Sequence, residues 1–110
     1  MLAIIGGTSL IHADLPKLTR RVTDTPYGPA EIYTGDIALV LRHQFNRPPH
    51  RINFRAMASA LALAGVDRVV ALGSVGSLKT AYPPGTLLLP DDYLSFAPVP
   101  SIHNHTQEHV

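Results

Sequence analysis

Apolar residues fall in short runs cut off by glycine, proline and polar turns, and one longer stretch repeats them at helical spacing. Leu2 to Ile5 is an apolar run halted by Gly6-Gly7. Its length and its glycine stop predict a buried strand rather than a helix. A short helical turn fits Leu10 to Ala13. Leu18 to Thr23 alternates loosely and contains Val and Thr, which predicts a strand, and Pro26-Tyr27-Gly28-Pro29 predicts a turn. Ala30 to Thr34 and Ile37 to Leu41 are β-rich runs. Gly35-Asp36 between them is a two-residue hairpin signal. Arg42 to His50 is polar and proline-marked, hence a loop.

Asn53 to Ala64 predicts the helix. Phe54, Met57, Ala58, Leu61 and Ala64 share one side, Asn53 suits the N-cap and Gly65 sits where a terminating glycine belongs. The opposite side (Ala56, Ser59, Ala60, Leu63) is also uncharged, which predicts a helix covered on both sides. Arg68 to Leu72 is a further strand. Strand, helix and strand in this order make a βαβ unit, with a parallel pair and a right-handed crossover. Gly73 to Ser77 is a small-residue loop, Pro83-Pro84-Gly85 a turn, and Thr86 to Leu89 another expected strand. Periodicity fades after Phe96. The expected fold class is α/β, a mixed, mostly parallel twisted sheet with flanking helices. A parallel sheet needs both faces covered, and one helix cannot do that.

Composition sharpens this picture. A chain of 110 residues has room for one domain. Charged residues make up 15% of it, against about 25% in typical soluble domains, so much of the surface is expected to be covered by other chain. A net charge of +1 argues against nucleic acid as a partner. There is no cysteine, which excludes disulfides, thiolate metal sites and a thiol nucleophile. No apolar run reaches the ~20 residues that span a membrane, and Met1 to Gly7 does not follow the signal-peptide pattern. A soluble, cytoplasmic protein is expected, without nucleic-acid or membrane partners.

Three expected strands end in residues suited to an anion: Gly6-Gly7-Thr8-Ser9, Arg42-His43 and Gly73-Ser74-Val75-Gly76-Ser77. Ligands of open α/β sheets bind at the carboxyl ends of strands. Glycines let backbone N–H groups approach a phosphate, hydroxyls donate to it and arginine grips it with two bonds. Each segment alone also reads as a plain turn or a surface charge; together they point to a phosphate pocket. The spacing matches neither the P-loop nor the dinucleotide fingerprint, and Gly73 to Ser77 is out of register with the serine-hydrolase elbow. Asp91-Asp92 reads as a surface strand stop before it reads as acid–base machinery. His103, His105 and His109 have conceivable zinc spacing but no supporting ligand. His50 and Arg51 sit before the helix, where positive charge is poorly placed, and this conflict hints at a negative ligand nearby.

In order along the chain, Ile5-Gly6-Gly7-Thr8, Asp24-Thr25-Pro26-Tyr27-Gly28, Arg42-His43, Pro48-Pro49-His50-Arg51-Ile52-Asn53-Phe54-Arg55-Ala56, Gly73-Ser74-Val75-Gly76-Ser77-Leu78 and Pro84-Gly85 resemble the purine nucleoside phosphorylase and methylthioadenosine phosphorylase family, and most of all its methylthioadenosine and methylthioinosine branch. The resemblance implies phosphorolysis of a purine nucleoside, methylthioadenosine, methylthioinosine or a 6-oxopurine nucleoside, to free purine and (methylthio)ribose 1-phosphate. Inorganic phosphate is then the co-substrate, with no metal and no organic cofactor. It implies phosphate contacts at Thr8, Arg42, His43, Gly73 and Ser74, and a homo-oligomer, a trimer or a dimer of trimers. His109, followed by Val110, would reach the nucleoside across a subunit interface. No residue is singled out for a catalytic role.

The sequence also departs from that family. Gln44-Phe45-Asn46-Arg47 is shorter than the usual segment and lacks its glycine and its second histidine. Gly73 stands where some members carry Thr or Asn. Family members are about twice this length, so residues 1–110 are expected to be the N-terminal part of a single nucleoside phosphorylase domain whose C-terminal half is absent. The other readings are a phosphate- or nucleotide-binding α/β module without catalysis, or an inactive fragment.

Overall fold

The structure, a computed structural model, describes residues 1–7, 10, 13–15 and 17–102. Five strands form one sheet: β1 (Leu2–Gly6), β2 (Thr19–Thr25), β3 (Gly28–Thr34), β4 (Ala38–Leu41) and β5 (Arg68–Ala71). One helix, α1 (Phe54–Leu63), lies between β4 and β5 in sequence. The spatial order is β2-β3-β4-β1-β5. β1 pairs parallel with β4 and with β5, whereas β3 pairs antiparallel with β2 and β4. The sheet is therefore mixed. Every strand but β3 runs the same way, yet the pairings divide evenly between parallel and antiparallel.

The hairpins explain that division. β2 and β3 join at Pro26-Tyr27, with Thr25 opposite Gly28. Gly28 has φ +114°, a left-handed conformation that glycine adopts without steric cost. The Thr25 hydroxyl donates to Gly28 O at 2.6 Å and accepts from Tyr27 N–H at 3.2 Å, which closes the turn. The β3–β4 connection differs from the two-residue expectation. Thr34 faces Ala38, so Gly35, Asp36 and Ile37 all lie in the loop, and Gly35 N–H donates to Ile37 O at 3.0 Å.

α1 starts as its sequence predicts. The Asn53 side chain caps it by accepting from Ala56 N–H at 3.1 Å. Its Nδ2 donates to Tyr27 O at 2.7 Å and ties the helix start to the β2–β3 turn. Gly65, at φ +78°, ends the helix. The packed face differs from the expected one. Ala56, Met57, Ser59, Ala60 and Leu61 are buried, while Phe54, Ala58 and Leu63 are exposed. Met57 and Leu61 join Ala3, Ile32, Ala38 and Val40 in the main core. Ala56 and Ala60 meet Ala30, and these small side chains let the helix backbone come close to β3. The helix is covered on one side among the described residues, not on both.

Alternation puts Ala30 and Ile32 of β3 under α1 and turns Glu31 and Tyr33 to the other face. On that face Leu10 lies against Gly6, where a Cβ would collide with it, and Leu18 lies against Gly35. The α1 crossover does not produce an adjacent parallel pair, because β1 sits between β4 and β5. Thr86 to Leu89 forms no strand. It follows a turn in which Gly85 has φ +90° and Thr86 N–H donates to Pro83 O, and Leu87 to Leu89 are exposed. Ile102 lies against the β2–β3 turn, where Tyr27 Oη donates to Ile102 O at 3.2 Å.

Candidate functional site at the carboxyl edge of the sheet

Three neighbouring strands, β4, β1 and β5, run parallel and end side by side. Their ladders continue one residue past the strands. Arg42 N–H donates to Gly6 O at 2.8 Å, and Leu72 N–H donates to Ile5 O at 2.8 Å. Gly6-Gly7, Arg42-His43 and Gly73-Ser74 thus leave the sheet along the same edge.

Arg42 stands on the face that carries α1. Its guanidinium lies against Gly7, where any side chain would collide with Nη2. With glycine at position 7 the guanidinium can occupy the space that a Cβ would fill. Arg42 Nε is buried and has no hydrogen-bond partner among the described residues. Buried polar groups are nearly always paired, so this atom marks a place for an acceptor. Arg42 also lines an apolar groove of about 890 Å³ between α1 and β5, bounded by Ile5, Phe54, Arg55, Val69 and the returning segment 99–102.

His43, one residue on, turns to the other face. It lines a second cleft of about 360 Å³ with Gly7, Arg20, Glu31, Gln44 and Phe45. Its Nδ1 lies 3.2 Å from Arg47 O. Gln44 builds this cleft. Its Oε1 accepts from Glu31 N–H at 2.6 Å, and its Nε2 donates to Glu31 O at 3.0 Å and to Leu41 O at 3.1 Å. The side-chain amide thus pairs with β3 as another strand residue would. The chain then passes through Phe45 and Asn46, at φ +58° and +54°, a left-handed pair that L-residues adopt at a cost of about 1–2 kcal/mol each. Arg47 stacks 5.5 Å from the Phe45 ring.

Glu31 anchors the far wall. Arg20 Nη2 donates to it at 2.6 Å and Tyr33 Oη at 2.7 Å. Burial alone would raise its carboxyl, but the two hydrogen bonds and the Arg20 charge together hold it below the usual carboxylate value. The same hydrogen bond to Glu31 raises the Tyr33 phenol.

The sequence-derived residues are distributed unevenly over this edge. Arg42 meets Gly7, but Arg42 and His43 line different clefts. Gly73 and Ser74 follow β5, are exposed and line neither cleft. Thr8, Ser9, His103, His105 and His109 lie outside the described residues. Asp91-Asp92 follows no strand. Among the described residues, no three His, Cys, Asp or Glu side chains gather where they could hold a metal ion. No helix among them is long and apolar enough to cross a membrane. Sequence reasoning missed Gln44 and Arg55. Gln44 gives no signal, since two of its three partners are backbone atoms of a strand 13 residues away. Arg55 had a signal: it is another positive charge in a helix start that carries no acidic residue in its first turn.

Comparison with known proteins places this edge in context. The chain is 39% identical to the probable 6-oxopurine nucleoside phosphorylase of Archaeoglobus fulgidus, an alignment that covers 100% of this chain and 49% of that protein. It is 38% identical to the S-methyl-5'-thioadenosine phosphorylase of Pyrococcus furiosus, over 86% of this chain and 40% of that protein. The fold resembles methylthioadenosine phosphorylase from Schistosoma mansoni in complex with adenine, with a TM-score of 0.68 and 29% identity, over 76% of this chain and 34% of that one. The chain thus spans half or less of the length of these relatives. Residues 1–108 match the family model of the phosphorylase superfamily, and the chain belongs to that superfamily.

Proposed function

We propose that this chain carries the phosphate-holding part of a purine nucleoside phosphorylase. The substrate is methylthioadenosine, methylthioinosine or a 6-oxopurine nucleoside, and the products are the purine and the sugar 1-phosphate. The observation that carries the reading is Arg42, held against Gly7 at the carboxyl edge of β1 and β4 with its buried Nε unpaired among the described residues. The names of the relatives support the reaction class. In the reaction, a phosphate oxygen forms the new bond to the anomeric carbon of the sugar. The glycosidic C–N bond breaks, its electron pair leaves with the purine, and the purine nitrogen takes a proton. The cationic edge contributes by fixing the nucleophile in line and by offsetting charge as the bond breaks.

On this reading Thr8, Arg42, His43, Gly73 and Ser74 contact phosphate, and His109 contacts the nucleoside across a subunit interface of a trimer or a dimer of trimers. Phosphate is a co-substrate, and the reaction uses no metal or organic cofactor. Residues 1–110 form the N-terminal part of a single domain, in a cytoplasmic enzyme of purine salvage. The unpaired Arg42 Nε equally suits a second reading, phosphate binding without catalysis.

The test is release of free purine from methylthioadenosine, methylthioinosine, inosine and adenosine, with and without phosphate, by the protein at its natural length and by the 110-residue chain. Phosphate-dependent release by the natural-length protein is expected. Phosphate binding with no release supports the second reading. Release that ignores phosphate overturns both.

A further inference from the structure

Two buried side-chain nitrogens lack a hydrogen-bond partner among the described residues: Nε of Arg42 and Nε of Arg55. Both arginines line the same groove between α1 and β5. No acidic side chain lines that groove, whose remaining walls are apolar apart from Ser101. Among the described residues Arg20 and Arg68 form ion pairs, and neither Arg42 nor Arg55 takes part in one. Two half-buried guanidinium groups thus line one largely apolar groove, each with a buried Nε that lacks an acceptor, an arrangement that an anion between them would satisfy.

Arg55 is also misplaced by the electrostatics of its own helix. It is the second residue of α1, where the helix dipole disfavours positive charge, and the preceding turn adds His50 and Arg51. The first turn of α1 holds no acidic residue to compensate. The fold nevertheless fixes Arg55 firmly. Its guanidinium carbon lies 5.7 Å from the Tyr27 ring centre. Tyr27 is itself held by Asn53 Nδ2 on its carbonyl and by its own Oη bond to Ile102 O. A cation kept in an unfavourable field by a rigid support is a group arranged for a ligand.

We infer that Arg55 is a second anion-binding arginine, facing with Arg42 a single tetrahedral oxyanion at the mouth of the groove, close to the start of α1. The inference rests on the phosphate reading of Arg42 and extends it to a residue outside the sequence-derived set. The anion supplies the acceptors that both Nε atoms lack, and its charge offsets the cationic start of the helix.

The experiment measures inorganic phosphate binding by calorimetry to the natural-length protein and to its R42Q, R55Q and R55K variants. Thermal unfolding without phosphate is recorded for each. Loss of one charge-assisted bond weakens binding by about tenfold or more, so R55Q is expected to raise the phosphate Kd by that factor. R55K, which keeps the charge, recovers part of the loss. In the unsubstituted protein, phosphate is expected to shield Arg55 from an arginine-selective dicarbonyl reagent, read by peptide mass spectrometry.

A Kd unchanged in R55Q but raised in R42Q overturns the inference and leaves Arg55 as a packing partner of Tyr27. A Kd unchanged in both overturns the phosphate reading of Arg42 as well. If R55Q unfolds, the shielding experiment decides: equal modification of Arg55 with and without phosphate overturns the inference, and protection sustains it.

Discussion

From Leu2 to Leu61 the chain builds a core; from Asp67 to Ser101 every residue is exposed. The two regions have similar raw material. The first buries Ala3, Ile32, Val40, Met57 and Leu61. The second carries Val69, Val70, Leu72, Leu87, Leu88, Leu89 and Phe96, with Leu89 96% and Phe96 100% exposed. The radius of gyration is 15.2 Å, against about 13 Å for a compact domain of this length. β5 shows where the regions part: its backbone completes a parallel ladder with β1, yet all its side chains are exposed. Backbone pairing needs only one neighbouring strand. Burial needs a second layer, and α1 is committed to β3 and the main core. Apolar surface of this extent is of the kind that a further layer or partner covers.

Substitutions can break or sharpen this contrast. The largest effect is expected at Ile32, 1% exposed in the main core. Ile32→Ala removes contacts to Met57 and Leu61 and should cost about 2–5 kcal/mol in urea unfolding. Leu87→Ala, at a position 94% exposed, should change stability by no more than about 0.5 kcal/mol. A cost at Leu87 comparable to that at Ile32 would show that the second region is packed in solution, and the contrast would collapse.

Gln44→Ala comes next. It leaves the Glu31 N–H and C=O without their partner and should cost about 1–3 kcal/mol. It also frees the loop after His43, so phosphate use should weaken along with stability. Stability unchanged in this variant would show that the clamp carries no weight. Asn53→Ala removes the cap of α1 and its bond to Tyr27 O, with an expected loss of about 1 kcal/mol from the cap itself.

The smallest effect concerns acid. Glu31 titrates below its ordinary value of 4.5 in the folded protein. An acid whose folded pKa is depressed contributes stability that is present above the unfolded value and is lost as pH falls through the folded one. Glu31→Gln should therefore flatten the decline in stability below about pH 4.5, with no change in slope near neutrality. An unaltered acid limb would mean that Arg20 and Tyr33 do not hold the carboxylate in solution.

Much of this architecture was legible in the sequence because the signals were local. The glycine stop after Ile5, the Asn53 cap and the Gly65 terminus each act within a few residues, and the structure shows all three. Strands β2 to β5 follow from propensity in the same way, and the turn expected over Pro26 to Pro29 is present but confined to Pro26-Tyr27, because Gly28 and Pro29 already pair in β3. The candidate edge was legible as well, because three short segments end parallel strands that lie together.

What only the tertiary structure decided are choices among local equivalents. α1 has no polar side to exclude, so periodicity could not select its buried face. Packing did: Ala56 and Ala60 let the helix approach Ala30, while Phe54 stays exposed. Thr86 to Leu89 has the composition of a strand, but a strand exists only where an edge accepts its hydrogen bonds, and none does among the described residues. Insertion of β1 between β4 and β5, the amide of Gln44 against Glu31 and the groove that Arg42 and Arg55 both line join positions apart in the chain. Local pattern in the sequence placed β1 to β5 and α1 and marked where cations could meet an anion, and it erred where it offered Thr86 to Leu89 as a strand and the β3–β4 connection as a two-residue loop. Which segments touch was settled by the summed burial and pairing of the whole sheet, and no local pattern encodes that sum.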